Sequence, residues 1–288
     1  MLKRKPKKSE LKSESENESK NESKTPGDDP GSGASNGARR PGVATPFDIA
    51  GKTILITGAS RGIGRAIALG MRDAGAVVYG TGTKPESVAW MADEELVGRA
   101  LDVRDEVGTD ALIAEIVKRH GKLDCLINNA GITDGRLASW HDAESVEDVM
   151  STNYKGTMIG SLAYFRHHRK QGGVIVNVSS ILGIVGTEMS SVYCSSKGAI
   201  NQLTRCLAME WAPYNFRVNA LCPGLVDTDF IKPITEHPAV LQAAIERTPM
   251  KRIAQPEEMI GAAIFLASKA SSFMTGQTLV LDGGTTVH

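Results

Sequence analysis

The stretch "KTILITGASRGIG", Lys52 to Gly64, runs from an apolar strand signal through a glycine-rich turn into a helical pattern. Ile63, Ile67 and Met71 recur at the spacing of one helix face, so the chain changes period at the glycines. A strand feeding a helix through such a turn opens a βαβ unit. The pattern then repeats. The runs "AVVYG", "GRALDV", "LDCLINNAG", "GVIVNVSS", "FRVNALCPG" and "GQTLVLDGG" read as six more strands, and Leu112, Ile113, Ile116 and Val117 mark a helix between two of them. Strands alternating with helices predict an α/β fold: a doubly wound sheet of seven parallel strands with helices on both faces. Ligands of such sheets sit beyond the carboxyl ends of the strands.

Residues 47–288 are expected to form this single domain, with no internal repeat and no second core. Residues 1–46 are almost entirely Lys, Glu, Ser, Asn, Gly and Pro and offer too little apolar surface to offset the entropy of ordering. A disordered tail is expected there. Its first residues, "LKRKPKK", form either a nuclear-import or polyanion-binding patch or a solvated charge run offset by the following glutamates.

The chain carries 33 basic and 33 acidic side chains, so no domain-wide field draws it to nucleic acid or to anionic membranes. Cys125, Cys194, Cys206 and Cys222 have neither metal-ligand spacing nor the density of a disulfide scaffold. They read as thiols in a reducing compartment, and no metal site is expected. There is no apolar run of the ~18 residues a membrane span needs, and no signal-peptide core at the N-terminus. A soluble, cytoplasmic protein is the expectation.

The glycine-rich turn suits a dinucleotide. Gly58 permits the tight turn, Gly62 a close backbone approach to a pyrophosphate, and Gly64 close helix–strand packing. The helix N-terminus beyond, with Ser60, Arg61 and Ile63 around it, offers amides to phosphate oxygens. At the end of the second strand, "YGTGTK" places Gly82 where an acid would hold the ribose of NAD. With no carboxylate to repel a 2′-phosphate, and with Arg61 and Thr83 to bind one, NADP(H) is expected and NAD(H) is the alternative. Arg61 otherwise lies in solvent. Asp102, followed by Val103, is placed to accept from an adenine amino group, and Asn129, Ala130 and Gly131 to lie flat against the adenosine. Both stretches also read as Asx turns at strand ends.

In "SVYCSSKGAI", Tyr193 and Lys197 stand four residues apart, on nearly one helix face. A free phenol has a pKa of ~10. A cation ~4 Å away at an effective dielectric of ~20 would lower it by roughly three units, into the range of efficient acid–base catalysis. Alone, the pair is also an ordinary helix turn. Its company matters: Ser180 ends the fifth strand thirteen residues earlier, and Asn153 lies in "STNYKG" on the preceding helix.

With the glycine-rich turn, "NNAG", and the "PG" of Pro223 and Gly224, this ordered set over residues 47 to 286 resembles the compact short-chain dehydrogenase/reductase family, which has a Rossmann-type sheet. The resemblance implies a tetrad. Tyr193 would exchange a proton with the substrate oxygen, and Ser180 would donate a hydrogen bond to it. Lys197 would bind the nicotinamide ribose and depress Tyr193, while Asn153 would hold a proton-relaying water. Val226 would line the nicotinamide site and Thr228 grip the carboxamide. Ser179, Ser195 and Ser196 would have only cap or surface roles. A homotetramer is implied.

Within the family the chain looks most similar to 3-oxoacyl-carrier-protein reductases, with sugar, polyol or small-ketone enzymes as alternatives and a catalytically silent sensor as a rival class. The substrate would be a small-molecule or acyl-thioester carbonyl, with acyl carrier protein the macromolecular partner. The arginines such reductases use to hold the acidic carrier fall on Gln171 and Tyr214. The basic run "FRHHRK" either substitutes for them or is a solvated helix end. Thr228 to Pro256 reads as an insertion over the site, a lid being one interpretation.

Overall fold

The structure is a computed structural model and describes residues 45–287. Seven parallel strands form one sheet: β1 (Thr53–Ile56), β2 (Val77–Gly82), β3 (Val97–Ala100), β4 (Cys125–Asn128), β5 (Gly173–Val178), β6 (Phe216–Pro223) and β7 (Thr278–Leu281), in the order β3-β2-β1-β4-β5-β6-β7. The order reverses direction at β1 and β4, so the two strands that begin the halves of the sheet lie side by side. Folds of this kind bind ligands beyond the carboxyl ends of the strands at such a switch point.

Parallel strands are covered on both faces, hence their short, continuously apolar runs. "TILI" of β1 and the core of β4 are buried along their length. Ile54 and Ile56 face one apolar cluster, with Ile67 and Met71 of helix α1 (Gly62–Asp73). Leu55 faces the other, with Ile113 and Ile116 of a second long helix (Glu106–His120).

Between α1 and that helix lies the short α2 (Pro85–Val88), so Glu106–His120 is α3. Asp105 caps α3, accepting from the Gly108 amide at 3.0 Å, and Gly121 at φ 80° ends it. Then α4 (Ala143–Met150) passes through a π-helical turn, Ser151–Lys155, into α5 (Gly156–His168). Helix α6 (Ser191–Trp211) follows β5, and the chain ends through α7 (Lys232–Thr235), α8 (Pro238–Arg247) and α9 (Ile260–Ala267) before β7. The insertion after β6 is therefore helical.

No helix among the described residues is long and apolar enough to cross a membrane. The expected tail, 1–46, lies outside the described residues as far as residue 44. The Pro46 carbonyl already accepts from the Ala270 amide at 2.8 Å, which ties the start of the domain to its last crossover.

Candidate active site

The glycine-rich turn leaves β1 with Gly58 at φ 64° and enters α1 with Gly62 at φ 56°, a region open to glycine at little cost. A side chain at Gly58 would come within 2.7 Å of the Ala130 backbone. That closeness is built from below: the Thr57 hydroxyl accepts from the amides of Asn129 and Ala130 at 3.0 and 3.1 Å, and the Asn129 carboxamide donates to the carbonyls of Thr57 and Gly58. Asn129 thus braces the turn, and Thr57, absent from the expected set, is the post between the two loops.

Helix α1 begins without a capping side chain and without an acid in its first turn. Its first amides and its positive dipole end are open to an anion. Thr228 packs over this helix start, its methyl 3.3 Å from where a Gly62 side chain would project. Arg61 is 72% exposed and lies 3.8 Å from Asp229. A side chain on Gly82 would meet the Ser87 hydroxyl at 2.5 Å and Ser60 at 3.2 Å, so the place of the missing acid is also sterically closed. Asp102 forms the Asx turn, accepting from the Arg104 amide at 2.9 Å and binding the Arg104 guanidinium at 2.7 Å. Val103 is buried against Gly156. Pro223 ends β6, Gly224 backs onto Asp282, and Val226 pairs with Ala254 as parallel backbone.

Tyr193 and Lys197 share the inward face of α6, both buried, with the Lys197 nitrogen 5.6 Å from the Tyr193 ring centre. That helix is pinned at the level of the pair. The Ser179 hydroxyl donates to the Lys197 carbonyl at 3.0 Å, and the Ser196 hydroxyl donates to the Tyr193 carbonyl at 2.8 Å. Both serines are buried, so surface roles do not describe them; only Ser195, which bonds the Ser191 carbonyl, is exposed. Ser180 accepts from the Leu182 amide at 3.1 Å, and its hydroxyl lies beside the Tyr193 phenol.

Asn153 lies in the π-helical turn with its side chain fully buried. Its Oδ1 accepts from the Ile132 amide at 2.8 Å, and its Nδ2 donates to the Ile132 carbonyl and to Ser196. One side chain thus links the loop after β4 to the helix carrying Tyr193. A side chain at Gly131 would lie 3.2 Å from Asn153 Oδ1 and 3.4 Å from Lys197 Nζ, so Gly131 closes the arc from the first loop to the lysine.

The electrostatics differ from the sequence-based expectation. Burial pushes the Tyr193 phenol above its ordinary value, with the Ser180 hydroxyl beside it pulling the other way. Burial likewise brings Lys197 down to about 8. The expected depression by a cation ~4 Å away is not seen, because Lys197 Nζ donates to the Val178 carbonyl at 2.9 Å rather than to the phenol. Desolvation disfavours the charged form of each group.

The chain from the glycine-rich turn onward, including the serine, tyrosine and lysine, is matched by a family model described as enoyl-(acyl carrier protein) reductase, over residues 58–286. The chain belongs to the short-chain dehydrogenase/reductase family. It is an oxidoreductase of that family, with the Rossmann-like fold of its relatives. Among curated members it is 35% identical over 246 residues to the 5-keto-D-gluconate 5-reductase of Escherichia coli K12, covering 83% of this chain and 96% of that one. It is 34% identical over 241 residues to the 3-oxoacyl-(acyl-carrier-protein) reductase of Vibrio harveyi, covering 82% and 98%. The crystal structure of a gluconate 5-dehydrogenase from Burkholderia cenocepacia J2315 in complex with NADP and tartrate superposes with a TM-score of 0.80 at 33% identity, covering 84% of this chain and 98% of that one.

Proposed function

We propose that the protein interconverts a ketone and a secondary alcohol with NADP(H), using Tyr193 as the acid–base group. The observation that carries this reading is the convergence of Tyr193, Lys197, Ser179 and Asn153 on one buried wall.

The residues present fit the cofactor. The amides at Gly62, Ile63 and Gly64 would take the pyrophosphate, with Gly58 and Ser60 forming the turn around it. Asn129, Ala130 and Gly131 would form the floor beneath the adenosine. Thr83 and Val103 would hold the adenosine part, Pro223, Val226 and Thr228 the nicotinamide part, and Lys197 would bind the ribose hydroxyls. The closed space at Gly82 and the exposed guanidinium of Arg61 favour a 2′-phosphate over a bare hydroxyl. The B. cenocepacia relative is described with NADP.

When bound, the nicotinamide supplies or takes the hydride. The chain's own part is to hold the carbonyl and move a proton. The Ser180 hydroxyl, beside the Tyr193 phenol, would donate to the carbonyl oxygen and orient it. Tyr193 gives its phenolic proton to that oxygen in reduction and recovers it in oxidation. Lys197, at about 8, is near enough to working pH to return the proton to Tyr193. One Oδ1 lone pair of Asn153 remains for the relaying water.

The relatives' names divide between sugar acids and carrier-bound 3-oxoacyl groups, and this wall serves either carbonyl. Docking of an acidic carrier has thin support. Arg166 and His167 of the basic run are bound to Asp110 at 2.8 and 3.1 Å, and Arg169 donates to Tyr214.

The test is Tyr193→Phe. Turnover of any ketone the native chain reduces should fall about 10³-fold, while NADPH affinity, read by fluorescence titration, stays within about twofold. Retained turnover would overturn the assignment.

A further inference from the structure

Resting on the carbonyl-reductase reading above, we infer that the substrate is an uncharged ketone bearing an alkyl or aryl substituent, held against Phe230, Ile184 and Val185. The observation that starts the argument is the Phe230 ring, from the turn that opens the insertion after β6, packed on Tyr193 with centroids 5.6 Å apart. A carbonyl oxygen that meets the Tyr193 hydroxyl must place one of its substituents beside that ring.

The loop after β5 carries further apolar surface. Gly183 lies so close to α6 that a side chain there would come within 2.7 Å of the Lys197 backbone, which holds the loop at the level of the pair. The residues that follow are apolar and open: Ile184 is 51% exposed, Val185 41% and Met189 48%. Met189 is held at φ 57°, a conformation unfavourable for a side chain and found where a site imposes it. Apolar groups gathered at a catalytic opening are the lining that a ligand covers.

Charge argues the same way. Apart from the buried Lys197, the loop segments 132–142, 180–190 and 226–232 carry Asp134, Asp142, Glu188, Asp227 and Asp229 against the permanent cations Arg136 and Lys232. Neither cation is free. Lys232 lies 2.6 Å from Asp229 and Arg136 3.9 Å from Asp134, which also takes His141 at 3.2 Å. A sugar-acid carboxylate would find no unpaired partner in these segments and would meet like charge. An acidic carrier protein meets the same field.

The test uses the full chain with NADPH and three ketones: 4-phenyl-2-butanone, the acetoacetyl thioester of N-acetylcysteamine, and 5-keto-D-gluconate. Both neutral ketones should show kcat/KM at least about tenfold above the sugar acid. Phe230→Ala should raise KM for phenylbutanone about tenfold with kcat within about twofold and NADPH affinity unchanged; an unmoved KM would remove Phe230 from the site. Val185→Lys, at an exposed position, should improve the sugar acid and impair phenylbutanone. If native chain reduces 5-keto-D-gluconate as well as the neutral ketones, the inference fails and the reductase reading stands. If NADPH binds and no ketone is reduced or perturbs its fluorescence, the reductase reading fails and takes the inference with it.

Discussion

At the scale of single residues, the site holds groups against their own solvation. Lys197 at about 8 rather than 10.5 means that burying its charge at neutral pH costs about 3 kcal/mol, partly offset by its bond to the Val178 carbonyl. Because the folded value lies below the unfolded one, the unfolded chain binds the extra proton between about pH 8 and 10.5, and stability rises with pH across that window. Lys197→Met should therefore be inactive yet more stable at pH 7 by about 2 kcal/mol, after about 1 kcal/mol for the orphaned carbonyl. Its urea midpoint should lack the alkaline slope. Gly82 gives a second residue-scale prediction. Gly82→Asp alone should lower the melting temperature, since its side chain meets Ser87. Paired with Ser87→Gly, it should shift the NADPH-to-NADH ratio of kcat/KM toward NADH, because a carboxylate there repels the 2′-phosphate.

At the scale of elements, α5 is tied to the sheet by histidine. His168 Nε2 accepts from the Leu123 amide at 2.8 Å, just ahead of β4, and Tyr164 donates to the Leu123 carbonyl at 2.8 Å. Burial holds this imidazole below its ordinary value, and protonation at Nε2 would break the bond. The stabilisation is complete above the unfolded value of ~6.5 and is lost as pH falls through the lower folded one. The urea midpoint should drop on acidification from pH 7.5 to 5, and His168→Gln, which accepts without titrating, should flatten that drop. A pH-independent native midpoint would count against this account. Elsewhere the π-helical turn rotates Asn153 inward between α4 and α5, a local irregularity of the kind often found at functional sites. Its presence was invisible in "STNYKG", whose helical spacing is ordinary.

At the scale of the molecule, one sheet separates two apolar layers. Polar bonds cross it: Asn128 donates to Asn177 at 2.9 Å and Asn177 to Thr204 at 2.9 Å, joining β4, β5 and α6 beneath the site. Asn177→Leu would orphan partners on both sides and should destabilise by about 1–3 kcal/mol, measurable by urea unfolding. The strand β7 forms an open edge and Phe273 beside it is fully exposed. Open apolar edges are usually covered, in keeping with the proposed homotetramer, for which light scattering should read four times the 30.7 kDa chain. Removing residues 1–44 should leave kcat/KM within about twofold, because the catalytic wall is built wholly from residues after Thr57.

The seven strands, the glycine turn and the spacing of Ser180, Tyr193 and Lys197 were legible in the sequence, because period and turn chemistry are local properties. The strand runs and the helical face of Ile63, Ile67 and Met71 needed no tertiary contact to be read. Five matters were decided only by packing. Thr57 and Asn129 became braces because two loops meet, and Asp102 turned to Arg104 rather than outward. Ser179 and Ser196 became clamps because α6 lies against β5 and the π-helical turn. The direction of the Tyr193 and Lys197 shifts followed from burial, which a charge-pair distance assumed from helix geometry does not contain. Phe230 came to rest on Tyr193 through a helical insertion whose sequence showed only that something crossed there. Local pattern specifies which elements form; water exclusion and close approach, which set charge state and substrate fit, arise only when distant segments share one space.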